Sequence, residues 1–342
     1  IVLGMHASPL SQAQLLARAL CKNDARPPPH TALLVGGLSR GFTLPERWLS
    51  LQRNVIDALG NPNTELLLYL KVFHGDAPPS AKWRPRAGSN MSADFEVDST
   101  SALELVVRTL APAAVVIDRY AQREPSLRWQ RNRTCVARGA ADGIGLGPER
   151  RELLWPAVQL GYWHTLKQLW QMLCERETAR AATFEQVMFL RPDLVHFLSV
   201  GPYCLYRPKT VYHSMGDDCH ELQHVSTPRF AKICRQKGGA DFWWMAPRIY
   251  AEHAAQTLDR LMNCTTFFSM NEDFFYHDSR PFAADAGLTF VRTSGLLGAS
   301  LVQRPAAPVT AVQGVGGALG LLAQHVELMA LLYNESRHRN HR

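Results

Sequence analysis

The chain has 342 residues, of which 46% are hydrophobic and 20% charged, and its formal net charge is +7. This composition is typical of a globular protein, and no apolar run reaches the roughly 20 residues that a membrane helix needs. The basic residues are scattered and form no stripe interleaved with aromatics, which argues against a nucleic-acid partner and suits phosphorylated donors or acidic glycans.

The first elements form a strand–helix–strand pattern. Residues 31–36 are a short apolar run ending in glycine, which predicts a buried parallel strand. Thr43 and Glu46 have capping-box spacing around Pro45, and apolar residues then recur at helical spacing, so a helix is expected. Residues 65–73 predict a second strand. Together these elements predict a βαβ unit and a parallel sheet.

The alternation continues along the chain. We expect helices over residues 101–110 and 152–175, and strands over 113–118, 185–190, 210–212, 241–245 and 288–292. Pro247 is expected to start a helix that reaches about residue 261. Segments 75–98 and 123–151 are predicted to be long loops, and segment 314–320 a linker to a helix at 321–332. The pattern predicts an α/β fold.

The cysteines and the N-glycosylation sequons give information about the cellular compartment of the protein. None of the seven cysteines forms a CxxC pair, which argues against structural zinc, and the odd count permits disulfides without specifying any. Four segments fit the N-glycosylation pattern, at Asn90, Asn132, Asn263 and Asn334. Chance would supply about one or two, so the sequons favour a secretory lumen, with unglycosylated sequons as the open alternative.

A glycine-rich segment follows the first strand. Ligands of open α/β sheets bind where strands end, and Gly36 and Gly37 would let the backbone approach a nucleotide closely. Arg40 would then reach a phosphate. The alternative is a tight turn with a solvated arginine.

An Arg-Pro-Asp triplet follows the strand at 185–190. Asp193 would coordinate Mg²⁺ or Mn²⁺ at the carboxyl edge of the sheet, and Arg191 would contact a diphosphate or hold Asp193 in place. The alternative is an Arg–Asp surface pair at the end of a strand.

Two further segments carry candidate acids. Asp241 opens an apolar strand that closes with Pro-Arg248, and Trp243 or Trp244 would stack on a sugar unless both are core residues. The segment 271–273 offers Glu272 and Asp273 as general bases, with a helix amino terminus capped by Asn271 as the alternative.

Taken in order, these segments resemble a loose group of GT-A-type glycosyltransferase-like proteins from bacterial polysaccharide loci, algae, oomycetes and plants. The segment 34–42 (LVGGLSRGF) is similar to the opening Gly-Gly-x-Arg-x-Phe pattern of that group, with one residue inserted before Arg40. The segment 51–56 (LQRNVI) resembles its Leu-x-x-Asn-x-Ile helix. Residues 191–194 match its Arg-x-Asp-Leu element, and residues 241–248 resemble its Asp–strand–Pro-Arg element.

The resemblance implies a GT-A-like, mostly parallel central sheet with helices on both faces. It implies that residues 191–193 stand where GT-A enzymes keep an Asp-x-Asp metal motif, so Mn²⁺ or Mg²⁺ is expected at Asp193. It also implies that residues 36–40 border the nucleotide. The chain departs from the motif because Arg191 replaces the first acid, which affects both metal dependence and the identity of the donor.

The expected activity is transfer of a sugar from a nucleotide diphosphate sugar to a hydroxyl of a glycan or glycoprotein. Asp241 is the first candidate for the general base, with Glu272 and Asp273 behind it. The donor-binding candidates are Gly36, Gly37, Arg40, Arg191 and Arg248. The alternative is a lumenal protein that keeps the fold and binds a glycan or a partner without catalysis.

The expected organisation is an extension over residues 1–30, the glycosyltransferase-like domain over 31–300, and a linker, helix and basic tail over 301–342. The expected location is the Golgi lumen, with any membrane attachment through an anchor upstream of residue 1.

Overall fold

The structure is a computed structural model, and it describes residues 12–39, 41–74, 100–121, 155–196, 199–215, 239–263, 265, 278–293 and 300–301. The loops predicted at 75–98 and 123–151, and the linker and helix predicted beyond residue 313, lie outside these residues.

A seven-stranded sheet forms the centre of the described chain. In chain order, the strands of the protein are β1 (Thr31–Leu38), β2 (Thr64–His74), β3 (Ala114–Ala121), β4 (Gln186–Leu190), β5 (Val195–His196), β6 (Thr210–Met215), β7 (Gly239–Pro247), β8 (Thr289–Thr293) and β9 (Ser300–Leu301). The large sheet has the order β3-β2-β1-β4-β7-β6-β8, and β5 pairs separately with β9. Within the large sheet β7 runs antiparallel to both of its neighbours, and the other pairings are parallel. The predicted α/β class is confirmed.

The helices connect these strands. They are α1 (Gln12–Cys21), α2 (Pro45–Leu51), α3 (Asp57–Leu59), α4 (Thr100–Leu110), α5 (Trp155–Arg180), α6 (Arg248–Ala255), α7 (Thr257–Met262) and α8 (Ser279–Asp285). A π-helical turn, Gln52–Ile56, joins α2 to α3, and a single 3₁₀ turn spans Tyr203–Leu205.

Most predicted elements are confirmed to within a few residues, although α5 ends at Arg180 rather than at residue 175, and two predictions about helix starts and continuity are wrong. The predicted capping box is wrong because α2 begins at Pro45, after an extended Leu44 with no side-chain cap. The fixed φ of proline suits the first position of a helix, where no amide hydrogen is needed. The single helix predicted after Pro247 is two helices, α6 and α7, which Gln256 separates.

The sheet separates two hydrophobic cores. One lies under α5 and contains Trp163, Leu169 and Trp244, and the other lies under α2 and α4 and contains Val55 and Trp243. Neighbouring residues of a strand face opposite sides, so the two tryptophans belong to different cores. Both are at most 1% exposed, so the prediction that one of them stacks on a sugar is wrong.

A polar cluster fixes the helices that follow β7. The Arg260 guanidinium donates to Asp278 Oδ2 at 2.7 Å, and His253 Nε2 lies 3.1 Å from the same oxygen. The His253 ring also stacks on Phe282, with 3.8 Å between ring centroids. Burial raises the pKa of Asp278, but the bonds and charges of His253 and Arg260 outweigh it and lower that pKa overall. The cluster therefore joins α6, α7 and α8.

A disulfide between Cys21 and Cys204 fastens α1 to the body of the protein. The two Cα atoms lie 5.6 Å apart, and 183 positions separate the residues in sequence. Helix α1 also packs closely on the end of α3, because a Cβ at Gly60 would lie 2.3 Å from that of Ala17. The bridge and this contact hold the end of α1 against two separate segments.

We expect removal of this disulfide to destabilise the fold. A double variant, Cys21→Ser with Cys204→Ser, should lose about 2–5 kcal/mol of unfolding free energy because the long loop is no longer closed in the unfolded chain. Urea denaturation under non-reducing conditions measures the loss. Cys174→Ser is the control, since Cys174 is a free thiol, and equal midpoints for the double variant and the wild type would contradict the pairing.

Candidate functional site

The strand order creates a crevice at the centre of the sheet. From β1 the chain passes to β2 and β3 on one side, whereas β4 pairs with β1 on the other side. Connections therefore leave the carboxyl ends of β1 and β4 in opposite directions, and this is where open α/β sheets bind ligands. The candidate site lies at these two strand ends.

Two glycines lie near the end of β1, and they have different roles. A Cβ at Gly36 would lie 2.6 Å from Leu169 Cδ1 and 2.9 Å from Thr165 Cγ2, so this glycine lets α5 pack closely on the sheet. Gly37 has a φ of +141°, and a Cβ there would lie 3.3 Å from Pro192 Cδ. Gly36 therefore allows close helix packing, and Gly37 brings β1 against the Arg-Pro-Asp triplet. The approach of these glycines to a nucleotide stays a prediction.

The triplet after β4 forms a bidentate ion pair. Arg191 Nε donates to Asp193 Oδ1 at 2.9 Å, and Nη2 donates to Oδ2 at 2.7 Å. The Asp193 side chain is 4% exposed and that of Arg191 is 20% exposed. A fork of this kind is stronger than a single charged hydrogen bond and fixes both side chains. The fork therefore holds the Arg191 guanidinium in a defined orientation at the carboxyl end of β4.

This arrangement bears on the metal that the resemblance implies. A cation on Asp193 would have to compete with Arg191 for the same two carboxylate oxygens. Within the described ranges there is no cluster of three or more histidine, cysteine, aspartate or glutamate side chains suited to a metal. The contacts of Asp193 thus fit a guanidinium partner better than Mn²⁺ or Mg²⁺.

A second set of polar contacts fixes the segment that follows Asp193. Asn54 lies in the π-helical turn, and its side-chain amide donates a hydrogen bond to the backbone carbonyl of His196. The backbone carbonyl of Asn54 accepts the amide hydrogen of Val200 at 2.8 Å. Ser50 Oγ accepts the His196 amide hydrogen at 3.0 Å. We name these contacts the Asn54 clamp. Because β5 lies between this clamp and β9, the chain after the triplet is held on both sides.

The clamp buries a neutral histidine. His196 is 2% exposed, and its Nδ1 has no hydrogen-bond partner among the described residues. Burial lowers the pKa of His196 to about 4, because an imidazolium in this apolar position would lose its hydration. The ring is therefore uncharged at neutral pH.

A third polar group lies at the carboxyl ends of β2 and β3. Lys71 is 6% exposed, and its ammonium lies 3.3 Å from His164 Nδ1 and 3.4 Å from the Gly161 carbonyl, both in α5. Beside it, the Tyr69 hydroxyl donates to Asp118 Oδ2 at 2.9 Å. Burial, together with the positive charge of Lys71, lowers the pKa of His164 to about 4. A lysine and a neutral histidine thus stand two strands away from Arg191.

The structure separates Arg248 from this site. β7 is antiparallel, so its end lies at the amino edge of the parallel strands, where Pro247 pairs with Gln186 at the start of β4. There Arg248 donates to both oxygens of Glu177, at 2.8 and 2.9 Å, and lies over the Trp170 ring. The predicted donor-binding role of Arg248 is therefore corrected to a structural one.

Other predicted residues are only partly placed. Asp241 lies near the start of β7, two residues before the Trp243–Leu190 pair, so its backbone is at the same sheet edge as Asp193. Arg40, Glu272 and Asp273 lie outside the described residues. Their roles, and that of the Asp241 side chain, stay predictions.

Sequence reasoning missed Lys71, His164 and the role of Asn54. Lys71 stands inside an apolar run, and His164 belongs to an apolar helix, so neither forms a recognisable motif. A charged residue near the end of a predicted buried strand is the one signal that would have indicated Lys71, because such a residue is seldom buried without a purpose.

No protein-family model matches this chain, and no curated protein matches it either. Among the helices of the described ranges, none combines the length and apolar character required to cross a bilayer. Support for a function therefore comes from the geometry of the site and from the resemblance of its short motifs.

We expect the variant Asn54→Leu to lose about 1–3 kcal/mol of unfolding free energy, because the His196 carbonyl would lose its donor while remaining inside the protein. Asn54→Asp, which keeps the size but lacks the donor, should lose a similar amount. Chemical denaturation measures both effects. An Asn54→Leu protein as stable as the wild type would show that the clamp contributes nothing.

The buried histidine predicts a pH effect. The folded-state pKa of His196 is below the unfolded value, so the unfolded chain binds the extra proton and the fold loses stability as pH falls from about 6.5 to 4. His196→Leu should reduce this loss by about 1.4 kcal/mol per pH unit, or about 3 kcal/mol in total. Urea unfolding across that range measures the slope, and identical slopes for variant and wild type would contradict the prediction.

Proposed function

We propose that this chain is a glycosyltransferase with a GT-A-like fold, moving a sugar from a nucleotide diphosphate sugar to a hydroxyl of a glycan or glycoprotein. The observation that carries the proposal is the Arg191–Asp193 fork beside Gly37, at the carboxyl ends of β1 and β4. A charged fork in the switch-point crevice of an α/β sheet is suited to a phosphorylated ligand.

Convergence of separate segments supports the same proposal. The glycine pair ends β1, the Arg-Pro-Asp triplet follows β4, and Asp241 lies near the start of β7, so all three motifs reach one edge of the sheet. They lie more than a hundred residues apart at the extremes, and the pairing of β1, β4 and β7 brings them to the same edge. A single ligand bound at that edge would face all three motifs.

The proposed chemistry requires charge stabilisation and proton removal. As the bond between the sugar carbon and the diphosphate oxygen breaks, negative charge grows on the leaving diphosphate, and Arg191 would stabilise it. The acceptor hydroxyl forms the new bond to the sugar and gives its proton to a carboxylate. Asp241 is our first candidate for that base, and Glu272 and Asp273 are the next.

A lumenal location accords with two features. The Cys21–Cys204 disulfide suits an oxidising compartment, and the sequon residue Asn263 is exposed at the end of α7. We therefore propose a Golgi-type lumen, with a glycan or glycoprotein as acceptor and no nucleic-acid partner.

One observation favours the second candidate, a non-catalytic glycan- or partner-binding protein. Asp193 is almost fully buried and gives both oxygens to Arg191, so the pair would persist as a structural unit without any substrate. The same pair would then bind an anionic group of a partner rather than a reacting donor.

The test is melting temperature, followed by sugar transfer, across a panel of nucleotide sugars with and without Mn²⁺. One nucleotide should raise the melting temperature, and the corresponding sugar should be transferred. Asp193→Asn should lower turnover about a hundredfold or more while the protein stays folded, because Arg191 would lose its fixed orientation.

The chain contains a matched control for this variant. Arg26 forks onto Asp24, also two residues away, through bonds of 3.0 and 2.6 Å at the surface. Asp24→Asn should leave turnover unchanged. A stabilising nucleotide without transfer to any acceptor would favour the binding protein, and wild-type turnover in Asp193→Asn would remove the fork from the mechanism.

A further inference from the structure

One N-glycosylation sequon lies at the end of α7. It consists of Asn263, Cys264 and Thr265, and the structure describes its first and third residues. A sequon needs an asparagine that accepts the sugar, a serine or threonine two positions later, and any residue except proline between them. All three conditions hold here, so the sequence requirements for a glycan on Asn263 are met.

The position of Asn263 leaves room for a glycan. Helix α7 packs on the core under α5 through Leu258 and Leu261, whereas Asn263 is exposed. Its backbone amide donates to the Asp259 carbonyl at 2.9 Å, and in the part of the chain that the structure describes its side-chain amide forms no hydrogen bond. A sugar on that side-chain nitrogen would therefore break no contact described there and would not enter the core.

The last turn of α7 can open while the rest of the helix stays attached. Thr265 donates to the Arg260 carbonyl twice, from its amide at 2.9 Å and from its hydroxyl at 3.1 Å, and it is exposed. Two side-chain contacts hold the helix before this turn, Arg260 with Asp278 at 2.7 Å and Asp259 with Lys167 at 2.6 Å. Because helix ends open more readily than helix interiors, a modifying enzyme can reach the sequon without unfolding the domain.

We propose that Asn263 carries an N-linked glycan, transferred to it from a lipid-linked oligosaccharide diphosphate in the secretory lumen. The side-chain nitrogen of Asn263 forms a bond to the anomeric carbon of the oligosaccharide, and the bond from that carbon to the diphosphate oxygen breaks. The nitrogen gives one proton to a base of the transferring enzyme, and the lipid diphosphate leaves as an anion. This inference rests on the lumenal location proposed above and not on the transferase activity of the chain.

A glycan at this position has a consequence for the helical layer that carries it. Helices α5, α6 and α7 contribute Trp163, Tyr250 and Leu258 to one core, so they cover the same side of the sheet. An oligosaccharide is bulky and polar, and it stays in water. The surface around the end of α7 therefore faces solvent in the mature protein and does not pack against a partner.

Mapping of the occupied sequons tests the proposal. The full chain is directed into the secretory pathway of eukaryotic cells by a cleaved signal peptide, purified from cells and medium, and treated with peptide N-glycosidase in heavy-oxygen water. That enzyme converts each glycosylated asparagine to a labelled aspartate, which tandem mass spectrometry locates. We expect label at residue 263. Asn263→Gln should lose the mass of one glycan and keep the wild-type melting temperature, because the side chain is exposed.

Two variants of Thr265 form a matched pair. Thr265→Ser keeps a hydroxyl for the sequon and for the Arg260 carbonyl, so it should keep the label at residue 263. Thr265→Ala removes the hydroxyl and should lose that label. Label that persists in Thr265→Ala would come from ordinary deamidation of the asparagine, and it would overturn the proposal.

A second measurement separates the glycan site from the location. Sealed vesicles from the cells that make the natural protein are treated with a protease, and the surviving protein is mapped in the same way. Protected protein with label at residue 263 is the expected result. Protected protein without that label overturns the glycan site and leaves the lumenal location standing. Digested protein overturns the location and, with it, the glycan. The transferase proposal depends on neither result, because its own test measures sugar transfer.

Discussion

The position of β1 between two parallel neighbours determines the rest of the site. Because β2 and β4 flank it in parallel, three strand ends reach one edge, and the chain leaves them in opposite directions. Helix α5 approaches this centre closely because Gly36 has no side chain to collide with Leu169 and Thr165. Any side chain at residue 36 would displace α5, and with it the histidine that contacts Lys71.

The strength of the charge interactions at this edge depends on the burial of a few cations rather than on the total charge of the chain. The chain carries a net charge of +7, but most of that charge is scattered, and only a few cations are held in a low-dielectric position with fixed geometry. Arg191 is fixed by a carboxylate two residues away and Lys71 by a neutral ring. The Asn54 clamp then limits the movement of the segment that carries the fork.

The positions of helices and strands along the chain could be predicted from the sequence, whereas the directions of the strands in the sheet could not. Apolar runs and helical spacing identified β1, β2, β4 and α5, because burial imposes those periods locally. Strand direction is set by long-range pairing, so the antiparallel course of β7 left no local sign in the sequence. Arg248 was therefore predicted to bind the donor, although it lies at the amino edge of the parallel strands. Lys71 was missed because one charge in an apolar strand has no motif, whereas the Arg-Pro-Asp triplet was recognisable since its residues are adjacent.

The Cys21–Cys204 bridge has a consequence for how the chain matures. During synthesis at about 5–20 residues per second, Cys21 waits about ten to forty seconds for its partner, because the two are 183 positions apart. Cys135 and Cys174 emerge from the ribosome in that interval, and each is a competing thiol. Early docking of α1 on α3, through Ala17 and Gly60, would hold Cys21 near its final position. Because Cys21 is synthesised long before Cys204, the contact between Ala17 and Gly60 would favour the Cys21–Cys204 disulfide over the competing pairings.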